Sequence, residues 1–150
     1  MFGPDDAFLT IILQLLRRFP LYPTFGQGLT RLQPAYVEDV AEAIVRSLQM
    51  TETRAITYEF GGPRVYSYDE FLRSVAHEAG LKPILIPLPF VAWHALARIA
   101  EMLPSPPITR NQVELIQVDS VCNPQLPGFG GLGISPQSVE SILQQMLRGT

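Results

Sequence analysis

Cysteine occurs once in the 150 residues, at Cys122, so the chain can form no internal disulfide and has no cysteine cage for zinc. A reducing compartment is the expectation. Histidine occurs twice, at His77 and His94, and neither has a second histidine or a cysteine at ligand spacing, so no metal is expected. Lysine occurs once, at Lys82, and the remaining basic residues are arginines spread along a chain of net charge −3. No basic stripe results, which argues against nucleic acid as a partner. No apolar run approaches the ~18 residues of a membrane span, and the amino end has neither the basic stretch nor the small-residue cleavage site of a signal peptide. A cytoplasmic location follows as the expectation, with peripheral attachment to a membrane left open.

Chemistry is scarce as well. A GxSxG nucleophile elbow is missing. So is a tyrosine four residues before a lysine, because position 78 is glutamate. No carboxylate pair stands apart from the solvated background as glycosidase chemistry requires. What is present is 47% hydrophobic residues against 17% charged, in a length that suits one globular domain over residues 1–150.

The opening stretch MFGPDD reads as the end of a strand, since proline gives no N–H to a sheet and glycine permits reversal. Asp5 or Asp6 then caps a helix over 6–18, whose apolar spacing is set by Phe8, Ile11, Ile12, Leu15 and Leu16 and which Pro20 ends. LYPTFGQGLT is turn-rich, and LQPAYV is a short extended piece. It leads into a helix with Asp39 as N-cap and Val40, Ala43, Ile44 and Leu48 on one face.

Ile56, Tyr58 and Phe60 alternate as in a half-buried strand closed by Gly61, Gly62 and Pro63. Ser67 and Glu70 form a capping box before a helix with Phe71, Leu72, Val75 and Ala79 on its face and Gly80 at its exit. ILIPLP reads as a short strand that proline confines to an edge. Residues 90–103 are apolar nearly all round, with His94, Arg98 and Glu101 in one narrow stripe, so this helix is either deeply packed or built to meet a partner. Thr109 and Gln112 form a second capping box before Val113, Leu115 and Ile116. A last helix over 136–148 starts at Ser135, with Pro136 in its first turn and Val139, Ile142, Leu143, Met146 and Leu147 buried.

GFGGLG at 128–133 matches the spacing of dinucleotide-binding glycines, but CNPQLP before it is no strand and no βαβ unit surrounds it. It reads as a turn. GQG at 26–28 and GGP at 61–63 are read the same way.

Taken together, MFGPDD, QPAYVEDVAEAI, YEFGGPRVYSYDEF, IPLPFVAWHALARIAEML, PPITRNQVE and LPGFGGLGISP, in this order, resemble the extended short-chain dehydrogenase/reductase-like proteins. The subgroup they are most similar to is that of the 39 kDa accessory subunit of respiratory complex I. The resemblance implies an α/β, helix-rich fold: the C-terminal, substrate-side lobe and last sheet elements of a Rossmann-type protein whose N-terminal half is absent. It implies NAD(P) as cofactor of the intact parent, with none expected to be tightly bound here. Phe2, Gly3 and Pro4 are then the candidate cofactor contacts, and Arg31 and Arg64 weak substrate-side candidates, with no catalytic or metal-binding residue carried over. Three functions compete: a non-catalytic part of an NAD(P)-binding protein, an assembly module of a respiratory-type complex docking through helix 90–103, and a fragment of an active epimerase or reductase. The strand expected at 56–60 would lack its neighbours, so a homo-oligomer is the further expectation.

Overall fold

The computed structural model describes residues 1–4, 6–50, 56–102 and 109–148, without the side chains of residues 7 and 8. Asp5, the side chain of Phe8 and the end of the helix expected at 90–103 therefore lie outside the described residues. The chain runs through α1 (Ala7–Arg18), β1 (Leu21–Phe25), β2 (Arg31–Leu32), α2 (Val37–Gln49), β3 (Tyr66–Ser67), α3 (Tyr68–Glu78), β4 (Ile84–Leu88), α4 (Phe90–Ala100), α5 (Arg110–Ile116), a 3-10 turn (Phe129–Leu132) and α6 (Val139–Arg148).

Both capping boxes form. Ser67 Oγ accepts from the Glu70 amide while the Glu70 carboxylate accepts from the Ser67 amide, and Thr109 and Gln112 do the same for α5. Asp6 Oδ2 accepts from the Leu9 amide at 3.3 Å, which starts α1. Gly80 takes the left-handed φ of +69° that ends α3.

Helix α3 is the hub of the main core. Phe71, Leu72, Val75 and Ala76 are buried against Leu9, Ile12, Leu13 and Leu16 of α1 and Val139, Ile142 and Leu143 of α6. The buried stripe of α1 is thus rotated from the expected one, with Ile11 and Leu15 exposed. A second, smaller cluster joins Ala35, Ala43, Phe129, Leu132 and Ile134, with Val40, Tyr58 and Phe60 packed on it.

The sheets are short. β1 pairs with β4 in parallel from Leu21↔Ile84 to Phe25↔Leu88, and β2 pairs with β3 antiparallel. Phe2 makes a parallel bridge to Tyr36, donating its N–H to Ala35 O and accepting from the Val37 amide, both at 2.9 Å. The strand end expected at MFGP is therefore paired on the QPAYV side.

Several expectations are corrected. LYPTF is strand β1 and not turn, because the non-local ladder of β4 holds it despite Pro23. Residues 56–60 form no strand: Glu59 donates to Pro127 O, and no strand among the described residues lies beside them. Tyr36, not Asp39, occupies the N-cap of α2, and the Asp39 carboxylate is buried and accepts from the Gln137 amide at 2.7 Å. Ile44 and Leu48 on the expected inner face of α2 are exposed, as is Leu115 of α5. Helix α6 begins at Val139, three residues beyond Pro136, with Ser138 Oγ accepting from the Ser141 amide. Among the described residues no helix is long and apolar enough to cross a membrane.

One polar cluster ties α6 to the hub. Glu140 accepts from Ser74 Oγ at 2.7 Å and Tyr66 Oη at 2.9 Å, and the Arg64 guanidinium lies 3.8 Å away and 4.7 Å over the Tyr66 ring. Burial pushes the Glu140 carboxyl up, but these hydrogen bonds and Arg64 outweigh it and leave the group below its ordinary value of 4.5. A carboxyl depressed in the folded state stabilises above its unfolded pKa and loses that contribution as pH falls through the folded one. Replacing Glu140 by alanine strands the buried Tyr66 hydroxyl, and we expect a loss of about 1–3 kcal/mol at pH 7 in urea unfolding. The gap between wild type and variant should narrow as the pH drops below 4.5.

Candidate functional site

Helix α1, strand β1, Tyr68 of α3 and helices α4 and α5 surround an open cleft of about 640 Å3. Its wall includes Ile12, Leu15, Tyr22, Phe25, Trp93 and Gln112, and none of the described residues lining it is charged. The cleft exists because three elements meet at one aromatic junction. Phe25 stacks on Trp93 at 4.2 Å and meets Tyr68 edge-on at 5.5 Å. Trp93 Nε1 donates to Thr24 O at 3.1 Å, which pins α4 to β1.

The polar groups of the cleft are few. The wall includes the phenols of Tyr22 and Tyr68, and burial raises both above the ordinary tyrosine value, Tyr68 strongly. Both therefore stay protonated at neutral pH. Gln112 contributes its side-chain amide.

The polar stripe of α4 faces α5. His94 Nε2 lies 2.8 Å from Gln117 Nε2, and Glu101 accepts from the Arg110 amide at 2.9 Å and from Arg110 Nε at 2.8 Å. The bond from the Arg110 amide, followed by the guanidinium, holds the Glu101 carboxyl below its usual range. With its polar side used on α5, α4 leaves Val91, Ile99 and Met102 exposed. Phe90, Trp93 and Ala97 face the core.

The five residues singled out in the sequence lie elsewhere. The Phe2 backbone is consumed by the bridge to residues 35 and 37, and its ring lies 5.7 Å from that of Tyr36. A Cβ on Gly3 would come within 2.7 Å of Val37 Cγ1, so the glycine lets the start of α2 close on the strand end. Pro4 is exposed. Arg31 forms a two-point contact with Asp119 through its amide and Nε, both at 2.8 Å, and these bonds lower the Asp119 carboxyl. Arg64 is engaged with Glu140 and Tyr66. None of the five lines the cleft.

GFGGLG is a 3-10 turn with Phe129 buried and stacked on Phe60 at 4.9 Å. The amides of Gly131, Gly133 and Ile134 donate to Gly128 O, Gly130 O and Phe129 O. Arg46 NH1 donates to Leu132 O at 2.8 Å and to Gly133 O at 3.1 Å. These three amides are not free for a pyrophosphate, and among the described residues no strand leads into the turn as a dinucleotide grip requires.

Sequence reasoning passed over the cleft. Trp93 was visible only as one aromatic on an apolar helix, and Tyr22 sat in a segment taken for turn.

The parallel pairing at Phe2–Tyr36, the β1–β4 pair and the helices around them make this a helix-rich α/β chain whose fold is similar to about half of several solved epimerase and reductase structures. Solved structures that share it include a triphenylmethane reductase from Citrobacter sp., with TM-score 0.67, 16% identity, 91% of this chain covered and 47% of the other. A nucleoside-diphosphate-sugar epimerase from Staphylococcus aureus matches with TM-score 0.63, 18% identity and coverage of 95% and 49%. MoeE5, solved in complex with UDP-glucuronic acid and NAD, matches with TM-score 0.60, 16% identity and coverage of 99% and 44%.

In sequence, the chain is similar to NADH dehydrogenase [ubiquinone] 1 alpha subcomplex subunit 9, mitochondrial. It is 29% identical to the Arabidopsis thaliana protein, over 93% of this chain and 37% of that one, and 29% identical to the Rattus norvegicus protein over 99% and 40%. A ceramide reductase of Caulobacter vibrioides is 30% identical over 59% of this chain and 28% of its own length. The chain thus spans about two fifths of the length of the subunit 9 relatives it matches. No protein-family model matches it.

Proposed function

We propose that these 150 residues are the C-terminal, substrate-side lobe of an NAD(P)-binding protein of the short-chain dehydrogenase/reductase type, related to the complex I 39 kDa subunit, and that alone they turn over no substrate. The observation that carries this reading is the parallel bridge of Phe2 to Tyr36 combined with a 128–133 turn whose Gly131 and Gly133 amides are engaged and which no strand among the described residues precedes. The first supports a sheet that continues beyond the described strands. The second supports a dinucleotide grip supplied from elsewhere. In the assembled protein Phe2, Gly3 and Pro4 would flank the cofactor at the strand end, while Arg31 and Arg64 serve as structural ion pairs. NAD(P) would supply hydride chemistry there, and this chain contributes position and shape only. Calorimetric titration of the chain with NADPH and with NADH should show no binding tighter than millimolar. Micromolar affinity would overturn the reading.

A second reading, favoured by Val91, Ile99 and Met102 at 81%, 66% and 85% exposure, is an assembly module that meets a protein through α4. A peripheral position at a respiratory membrane suits it, as does the similarity to a complex I subunit. In the absence of such a partner the same face should drive self-association. Light scattering is expected to give a mass above the monomer, returned to monomer by Val91→Asp with Ile99→Asp. A clean monomer at high concentration contradicts this second reading.

A further inference from the structure

We infer that the cleft between α1, β1, α4 and α5 binds the aliphatic chain of an uncharged lipid whose head carries a carbonyl or amide oxygen. The inference needs only the described residues and is independent of where a dinucleotide is held.

Size, lining and polarity each narrow the ligand. A volume of about 640 Å3 falls in the range of small-molecule sites, roughly 300–1,000 Å3. Among the described residues the wall carries no cation and no carboxylate, so a phosphate, a nucleotide sugar or an ionised fatty acid finds no charged partner there. An aliphatic chain carries no such cost and gains the burial of the exposed Ile11, Phe19, Leu21 and Leu115 along its length.

The donors specify the head. Tyr22 and Tyr68 of the wall each carry a phenolic O–H, which is a donor. Gln112 Oε1 is taken by the Thr109 amide at 3.0 Å, which leaves its NH2 as a donor. Both groups seek an acceptor. A carbonyl or amide oxygen at the end of an apolar chain supplies one without bringing a charge into the cleft.

Trp93 is the only tryptophan of the chain and lies in the wall, so its emission reports occupancy directly. Titration of the 150-residue protein with monomeric N-oleoylethanolamine should give a saturable one-to-one blue shift with Kd on the order of 10 μM. UDP-glucose should give none. Leu115→Glu, at an exposed position on the cleft wall, should weaken binding at least tenfold, and Tyr22→Phe roughly fivefold, each with an unchanged far-UV spectrum. If Tyr22→Phe fails to fold, the Leu115 variant decides. No saturable shift, or full affinity in Leu115→Glu, overturns the site. Oleate binding as tightly overturns the uncharged head. A shift that scales with added vesicle surface, or with protein concentration alone, assigns the face to a membrane or to a second copy and overturns the proposal.

Discussion

Phe25 sits where the parallel pair β1–β4 meets the rest of the protein, with the Tyr68 ring on one side and Trp93 on the other. The main core and the cleft meet at that contact. Tyr68 opens α3, whose buried face carries α1 and α6, and Trp93 anchors α4, which in turn holds α5 through His94 and Glu101. The two short strands contribute few hydrogen bonds of their own, and a two-stranded sheet is marginal in isolation. Aromatic packing at their end converts them into a floor, and the cleft is the space left above it.

The apolar surface of this protein has a structural cause. Helix α4 and its cap turn His94 and Glu101 to α5, so apart from Arg98 much of the side that meets solvent is apolar, the reverse of an ordinary surface helix. Helix α2 behaves similarly: Ala43 is buried under the 128–133 turn while Ile44, Val45 and Leu48 are exposed. Such faces suit contact with other polypeptide.

Legibility in the sequence followed the range of the interaction. The caps at Ser67–Glu70 and Thr109–Gln112, the Gly80 exit and the buried stripe Phe71, Leu72 and Val75 are set within a few residues, and all were readable. Strand β1 was not, since Pro23 and the following glycines favour a turn locally and only β4, some sixty residues on, supplies its ladder. The alternation at 56–60 misled for the converse reason: periodicity proposes a strand, but a strand exists only beside another. The whole-chain resemblance recovered the fold class where periodicity failed. Of the candidate site, the turn character of GFGGLG was legible from its flanks. The engagement of Arg31 by Asp119 and of Arg64 by Glu140 was not, because each pair spans the chain. Nor could the cleft be read, since its wall is assembled from five separate elements.

The proposed function is a division of labour in which backbone amides elsewhere would grip the dinucleotide and these residues would shape what lies beside it. Native mass spectrometry of the protein isolated from its own cells measures this most directly, by giving the mass of the species that carries nucleotide. The account predicts that NAD(P) is found only in a species larger than the 150-residue polypeptide, one that includes a strand, a GxGxxG turn and a helix. A dinucleotide held by the 150-residue polypeptide alone would contradict it.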